Sequence, residues 1–168
     1  ASSIMSKKLA SGADTIVIDL KVGNGALMKD IESARKLGHA MVDIGKAHNR
    51  KVVCVLTDMN QPLGNAIGNA LEVKEAIDCL NNNGPDDITN LAIVLSSVMV
   101  SYGLNISFKK ANDMVLENLN NKKAYHKFIE LVKYQGGSLE EMKISDKVIS
   151  VKSKETGFIT GIETDTLD

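Results

Sequence analysis

Apolar positions along this chain follow two spacings, and the switches between them predict the order of its elements. Ile4, Met5 and Leu9 share one side of a helical pattern near the start. TIVIDL, residues 15–20, is a continuous run rich in β-branched side chains with glycines nearby, the pattern of a strand buried on both faces. VGNGALMKD then turns the chain. From Lys29 to about His48 the residues Ile31, Ala34, Leu37, Met41 and Ile44 recur every three or four positions, which predicts an amphipathic helix. VVCVL, residues 52–56, repeats the buried-strand pattern. Strand, helix and strand over this length make a βαβ unit with parallel strands and a right-handed crossover.

Downstream the pattern is helical. Val73, Ala76, Ile77 and Leu80 form one face, with Cys79 at its margin. A Gly-Pro break and the acidic pair Asp86 and Asp87 precede a nearly apolar helix from Ile88 to Gly103. Residues 107–119 and 123–134 predict two further amphipathic helices. The final stretch, KVISVKSKETGFITGIETDTLD, predicts two short strands with a Gly-containing connection. The fold class is therefore α/β, a parallel βαβ core with flanking helices. Two short strands are not stable alone, and the first helix opens without a clear cap, so further chain is expected on both sides.

Bulk properties narrow the function. With 168 residues and 43% hydrophobic content the chain can bury a real core. Twenty Lys and Arg against 21 Asp and Glu leave a formal net charge of −1, which disfavours nucleic acid as a partner. Cys54 and Cys79 lack CxxC spacing and read as free thiols of a reducing compartment. LAIVLSSVMVSYGL, residues 91–104, is shorter than a bilayer span and broken by serines, which predicts a core helix and no membrane partner. No signal-peptide pattern opens the chain, so a cytoplasmic location is expected.

The βαβ topology also says where a ligand would sit. Loops at the carboxyl ends of parallel strands line the crevice of an open α/β sheet. Two such loops exist, VGNGALM and TDMNQPLGNAIGNA, and they should share one edge. Gly23 and Gly25 suit either a tight turn or close backbone approach to a ligand. A dinucleotide fingerprint needs a glycine where Met28 stands, and no GxxxxGK[ST] loop occurs. His39, His48 and His126 are scattered and join no Cys or acidic cluster. Ser3 and Lys7, four residues apart, share a helix face; this spacing fits an ordinary polar surface, or a hydroxyl and ammonium aimed together at a small polar ligand. Pro62, Gly64 and Gly68 favour irregular backbone ahead of Glu75. That stretch reads as a plain connection, or as a set of free carbonyls and one carboxylate suited to a hard, weakly charged cation such as K⁺.

Taken together, SxxSKK, DxKxGxGAxM, TDMxQPLG and GNALEVxEA resemble the pyrimidine-nucleoside phosphorylases, the group that includes thymidine phosphorylase. The resemblance is dense from Ser2 to about Leu104 and looser through the later helices to VKSKETGFITGI. It implies a pentosyltransferase of pyrimidine nucleoside salvage: reversible phosphorolysis of uridine, thymidine or deoxyuridine to free base and pentose 1-phosphate, with inorganic phosphate as co-substrate. The family's Ser and Lys of SIMSK match Ser3 and Lys7, which would contact the pyrimidine, Lys7 in a catalytic role. A structural K⁺ site near the hinge matches the carbonyls of Leu63 and Ala66 and the carboxylate of Glu75. Residues 1–145 would belong to the central nucleoside-binding α/β domain, and residues 146–168 would begin a C-terminal α+β domain. The family's phosphate-binding segment, its base-contacting Arg and most of the α domain through which members form homodimers would precede residue 1. On this reading the chain alone is inactive. A strict thymidine phosphorylase, an anthranilate phosphoribosyltransferase-like enzyme and a non-catalytic interaction module are the alternatives.

Overall fold

The computed structural model describes residues 1–167. In chain order it contains α1 (Ser2–Ala10), β1 (Thr15–Val22), α2 (Ile31–Ala47), β2 (Lys51–Asp58), α3 (Asn69–Leu80), α4 (Asp86–Leu104), α5 (Phe108–Asn120) and α6 (Lys123–Tyr134), with a 3-10 turn at Thr164–Thr166. β1 and β2 pair in parallel, in register from Thr15 opposite Lys51 to Val22 opposite Asp58. This is the predicted βαβ unit of an α/β fold.

Alternation along the strands divides the sheet into two unlike faces. Ile16, Ile18, Leu20 and Val22 of β1, with Val52 and Cys54 of β2, meet Ala34, Leu37, Met41 and Ile44 of α2. Met5 closes this core from α1 and is fully buried. The opposite face carries Asp19, Lys21 and Thr57, where Thr57 Oγ1 donates to Asp19 Oδ1 and the Lys21 ammonium lies 2.8 Å from Asp19 Oδ2. Burial on both faces was expected. Instead β1 is deeply buried only at Ile16 and Leu20, and β2 at no position, because the charged face is half-open and no further strand flanks the pair among the described residues.

α2 sits close to the sheet because Gly45 leaves room. A Cβ there would fall 2.1 Å from Val52 Cγ2. Alanine would gain roughly 1 kcal/mol in helix propensity, but the overlap with a stiff β-branched side chain costs about 1–3 kcal/mol. Gly45→Ala is therefore expected to lower the denaturation midpoint, as urea titration would show. The same helix begins at Asp30, whose carboxylate accepts from the Ser33 N–H at 2.8 Å and from the Ser33 hydroxyl at 2.7 Å. These bonds, the backbone one foremost, hold the Asp30 carboxyl below its ordinary value of 3.8. Its contribution to stability is thus full above that value and is lost as pH falls through the lower folded one. Asp30→Ala is expected to melt earlier than the parent near neutrality, with the gap closing well below pH 3.8.

Two expectations need correction. α4 is not a fully buried core helix: it buries Ser97 but leaves Val94, Met99, Tyr102 and Leu104 substantially exposed. It packs chiefly against α5 and β1, and α5 is itself amphipathic. Nor does the C-terminal stretch form strands among the described residues; Val148, Ile149, Val151, Phe158 and Ile159 are more than four-fifths exposed. A strand pair needs a third strand or a helix to cover its apolar face, and no described element packs there.

Candidate functional site

The register of β1 and β2 ends both strands level, so the loops after Val22 and after Asp58 emerge side by side. They are bonded to one another. Met59 N–H donates to the Val22 carbonyl at 2.7 Å, Gly25 N–H to the Met59 carbonyl at 2.9 Å, and Asn24 N–H to Asn60 Oδ1 at 3.1 Å. Gly23, at φ +139°, approaches so closely that a Cβ would lie 2.7 Å from the Asn60 nitrogen. Only glycine meets both demands. Asp58 in turn accepts from the Asn60 N–H at 3.0 Å, an Asx turn that sets the path of the second loop.

Beyond that turn the second loop wraps around three carboxylates. Glu75 of α3 is buried, and its Oε1 accepts from the N–H groups of Asn65 at 2.8 Å and Ala66 at 3.0 Å. Asp87 Oδ2, in the first turn of α4, accepts from Gly64 N–H at 2.9 Å, and Glu72 Oε1 accepts from Gly68 N–H at 3.0 Å. Gly64, at φ +72°, would place a Cβ 2.1 Å from Glu75 Oε2, so glycine is required there by conformation and by space. Leu63, Ala66 and Glu75 line one cavity of about 420 Å³ together with Met59, Pro62 and Ile88.

The residues expected to act thus fall into two groups. Leu63, Ala66 and Glu75 are brought together. Ser3 and Lys7 form a second pair, both exposed, on the side of α1 turned away from the buried Met5. Sequence reasoning passed over Asp87 and Glu72 as contributors to the loop. The only signal for either was its position in a helix first turn, where an acid also serves the helix dipole.

A family model described as the a/b domain of the glycosyl transferase family matches residues 2–125. The chain belongs to this glycosyl transferase family. Its relatives within the family narrow the comparison. It is 46% identical over 156 residues to a thymidine phosphorylase of Metamycoplasma hominis, which covers 92% of this chain and 57% of the relative. It is 46% identical over 169 residues to a pyrimidine-nucleoside phosphorylase of Staphylococcus epidermidis, 96% of this chain and 39% of the relative. A pyrimidine-nucleoside phosphorylase of Staphylococcus aureus is 45% identical over 167 residues, again spanning 39% of its length. This glycosyl transferase chain therefore spans between about two-fifths and three-fifths of the relatives it matches.

Proposed function

We propose that the protein carrying this chain is a pyrimidine-nucleoside phosphorylase. What carries the reading is the near-complete match of the chain to relatives of that name, combined with two bonded loops at the carboxyl edge of a parallel strand pair. In the proposed reaction a phosphate oxygen attacks the anomeric carbon, the bond from that carbon to the pyrimidine nitrogen breaks, and the base leaves with the bonding electrons. Lys7 places a positive charge beside the departing ring and offsets the negative charge that develops on it, while Ser3, one helical turn away, orients the ring's polar edge. Both substrates, pyrimidine nucleoside and inorganic phosphate, belong to this reading, as do a cytoplasmic location and a homodimer.

A potassium ion at the second loop fits the donor set. Glu75 Oε1 is occupied by two backbone N–H groups, whereas Oε2 faces Gly64 and takes no protein donor among the described residues. The carbonyls of Leu63 and Ala66 likewise accept no hydrogen bond among the described residues. One carboxylate oxygen and two carbonyls suit a hard monovalent cation, which would supply fixed positive charge that stiffens the loop. In this role Leu63, Ala66 and Glu75 hold the ion and leave the reacting atoms to other groups.

Strict thymidine specificity is the second reading, favoured by the thymidine phosphorylase relative, whose identity equals that of the broader enzymes. The test is base release from uridine and from thymidine by the longest polypeptide that carries this sequence, with phosphate present and absent. Release of uracil and thymine, each requiring phosphate, is expected. Thymine alone moves the assignment to thymidine phosphorylase, and release of neither by a folded protein ends it.

A further inference from the structure

The first crevice loop is held from a direction that its strand does not supply. Asn24 donates its N–H to Asn60, accepts at its carbonyl from the Lys29 ammonium, and donates Nδ2 to the Ile162 carbonyl at 2.8 Å across 138 residues of chain. Lys29 Nζ also donates to Asp165 Oδ2 at 2.9 Å. Thr164 Oγ1 reaches the Asn60 carbonyl of the second loop at 3.4 Å. Residues 162–165 therefore lie across both loops.

Packing makes the same point more strongly than the polar contacts. A Cβ on Gly25 would fall 2.5 Å from Thr164 Cγ2 and 2.7 Å from Thr164 Cβ. Gly25 has no left-handed backbone, so the requirement for glycine here is space alone. Its N–H is meanwhile bonded to Met59. The loop is wedged between the second loop on one side and Thr164 on the other. The Lys29 to Asp165 ion pair is solvent-exposed and screened, so the wedge and the Asn24 amide carry the constraint.

We propose that residues 162–165 are a brace that positions the loop at 23–26 against the ligand crevice, with Thr164 on Gly25 as its steric contact and Asn24 as its polar tie. Gly25, Asn24 and Thr164 are positioning residues: they set the loop that faces the ligand. The kinetic part of this inference rests on the phosphorylase reading; the structural part does not.

The experiment uses Gly25→Ala, Thr164→Gly and the pair of them in the longest polypeptide that carries this sequence. Amide hydrogen exchange is read at Asn24 and Gly25, alongside KM and kcat for the nucleoside. Gly25→Ala is expected to speed exchange at these amides roughly tenfold, because local opening there becomes easier. It should raise the nucleoside KM several-fold with kcat nearly unchanged, the signature of lost ground-state positioning. Adding Thr164→Gly removes the overlapping atoms and should return both readouts close to the parent. Asn24→Ala, which removes only the amide tie, should speed exchange more modestly and serves if Gly25→Ala does not fold. Unchanged exchange in Gly25→Ala, or no recovery in the double variant, overturns the brace. Exchange that responds while KM stays fixed in an active protein overturns the positioning role. Exchange that responds in a folded protein without phosphorolysis keeps the brace and removes the phosphorylase reading.

Discussion

Replacing Lys7 with alanine is expected to lower kcat for phosphorolysis by roughly 10²–10³-fold, the scale set by deleting one group that stabilises developing charge. The loss should fall on kcat more than on KM. On the proposed reading, a neutral pyrimidine in the ground state gives an ammonium little to attract, whereas the departing base carries the negative charge that Lys7 would offset. Lys7 is exposed on α1 and forms no ion pair among the described residues, while Met5 on the opposite side anchors the helix to the core. The variant should therefore fold and melt as the parent does. Steady-state kinetics and a thermal melt on the same preparation separate the two effects. Turnover that survives the substitution would remove Lys7 from the reaction. Ser3→Ala should act more weakly, because a hydroxyl orients the ring without neutralising charge.

Glu75 is expected to give the largest effect on the fold near the site. Truncation to alanine leaves the N–H groups of Asn65 and Ala66 without their acceptor. Both bonds are only partly buried, so each orphaned donor costs about 1 kcal/mol, the low end of the range for an unsatisfied group; the loop should loosen and the melting temperature fall. Glu75→Gln is the sharper substitution. Its amide oxygen can still accept from both N–H groups, but the negative charge that a cation would meet is gone. The parent is expected to melt higher in potassium than in a bulky organic cation at equal ionic strength, since an ion that binds only the folded state stabilises it. Glu75→Gln should show no such difference. An equal potassium response in the parent and in Glu75→Gln would remove the ion from this loop.

How far the sequence foretold this structure depends on how local each feature is. The βαβ order followed from local pattern, because one-sided burial writes a helical spacing into residues 31–44 and strand propensity favours the β-branched run in each strand, although that run overstated how far both faces are buried. The side-by-side loops followed from that topology alone. Glu75 was legible as a carboxylate on the helix that follows an irregular, glycine-bearing stretch, where Glu72 also stands. Asp87 was not, because its bond to Gly64 spans 23 residues and depends on the path of a loop that no periodicity encodes. The contact of Thr164 with Gly25 was hidden for the same reason: it joins two segments that share no pattern. Apolar character misled in two places. The run in α4 and the C-terminal residues Val148, Ile149 and Phe158 are hydrophobic without being buried, since composition states what a segment could bury and not what lies beside it.

On the proposed reading, this chain serves a reaction in which phosphate displaces a pyrimidine from a pentose. Phosphorus NMR of the longest polypeptide that carries this sequence, incubated with uridine or thymidine and inorganic phosphate, tests it most directly. A pentose 1-phosphate resonance is expected to grow in step with free base and to vanish when phosphate or nucleoside is left out. Free base appearing with no phosphorylated sugar would mean hydrolysis, and would contradict it.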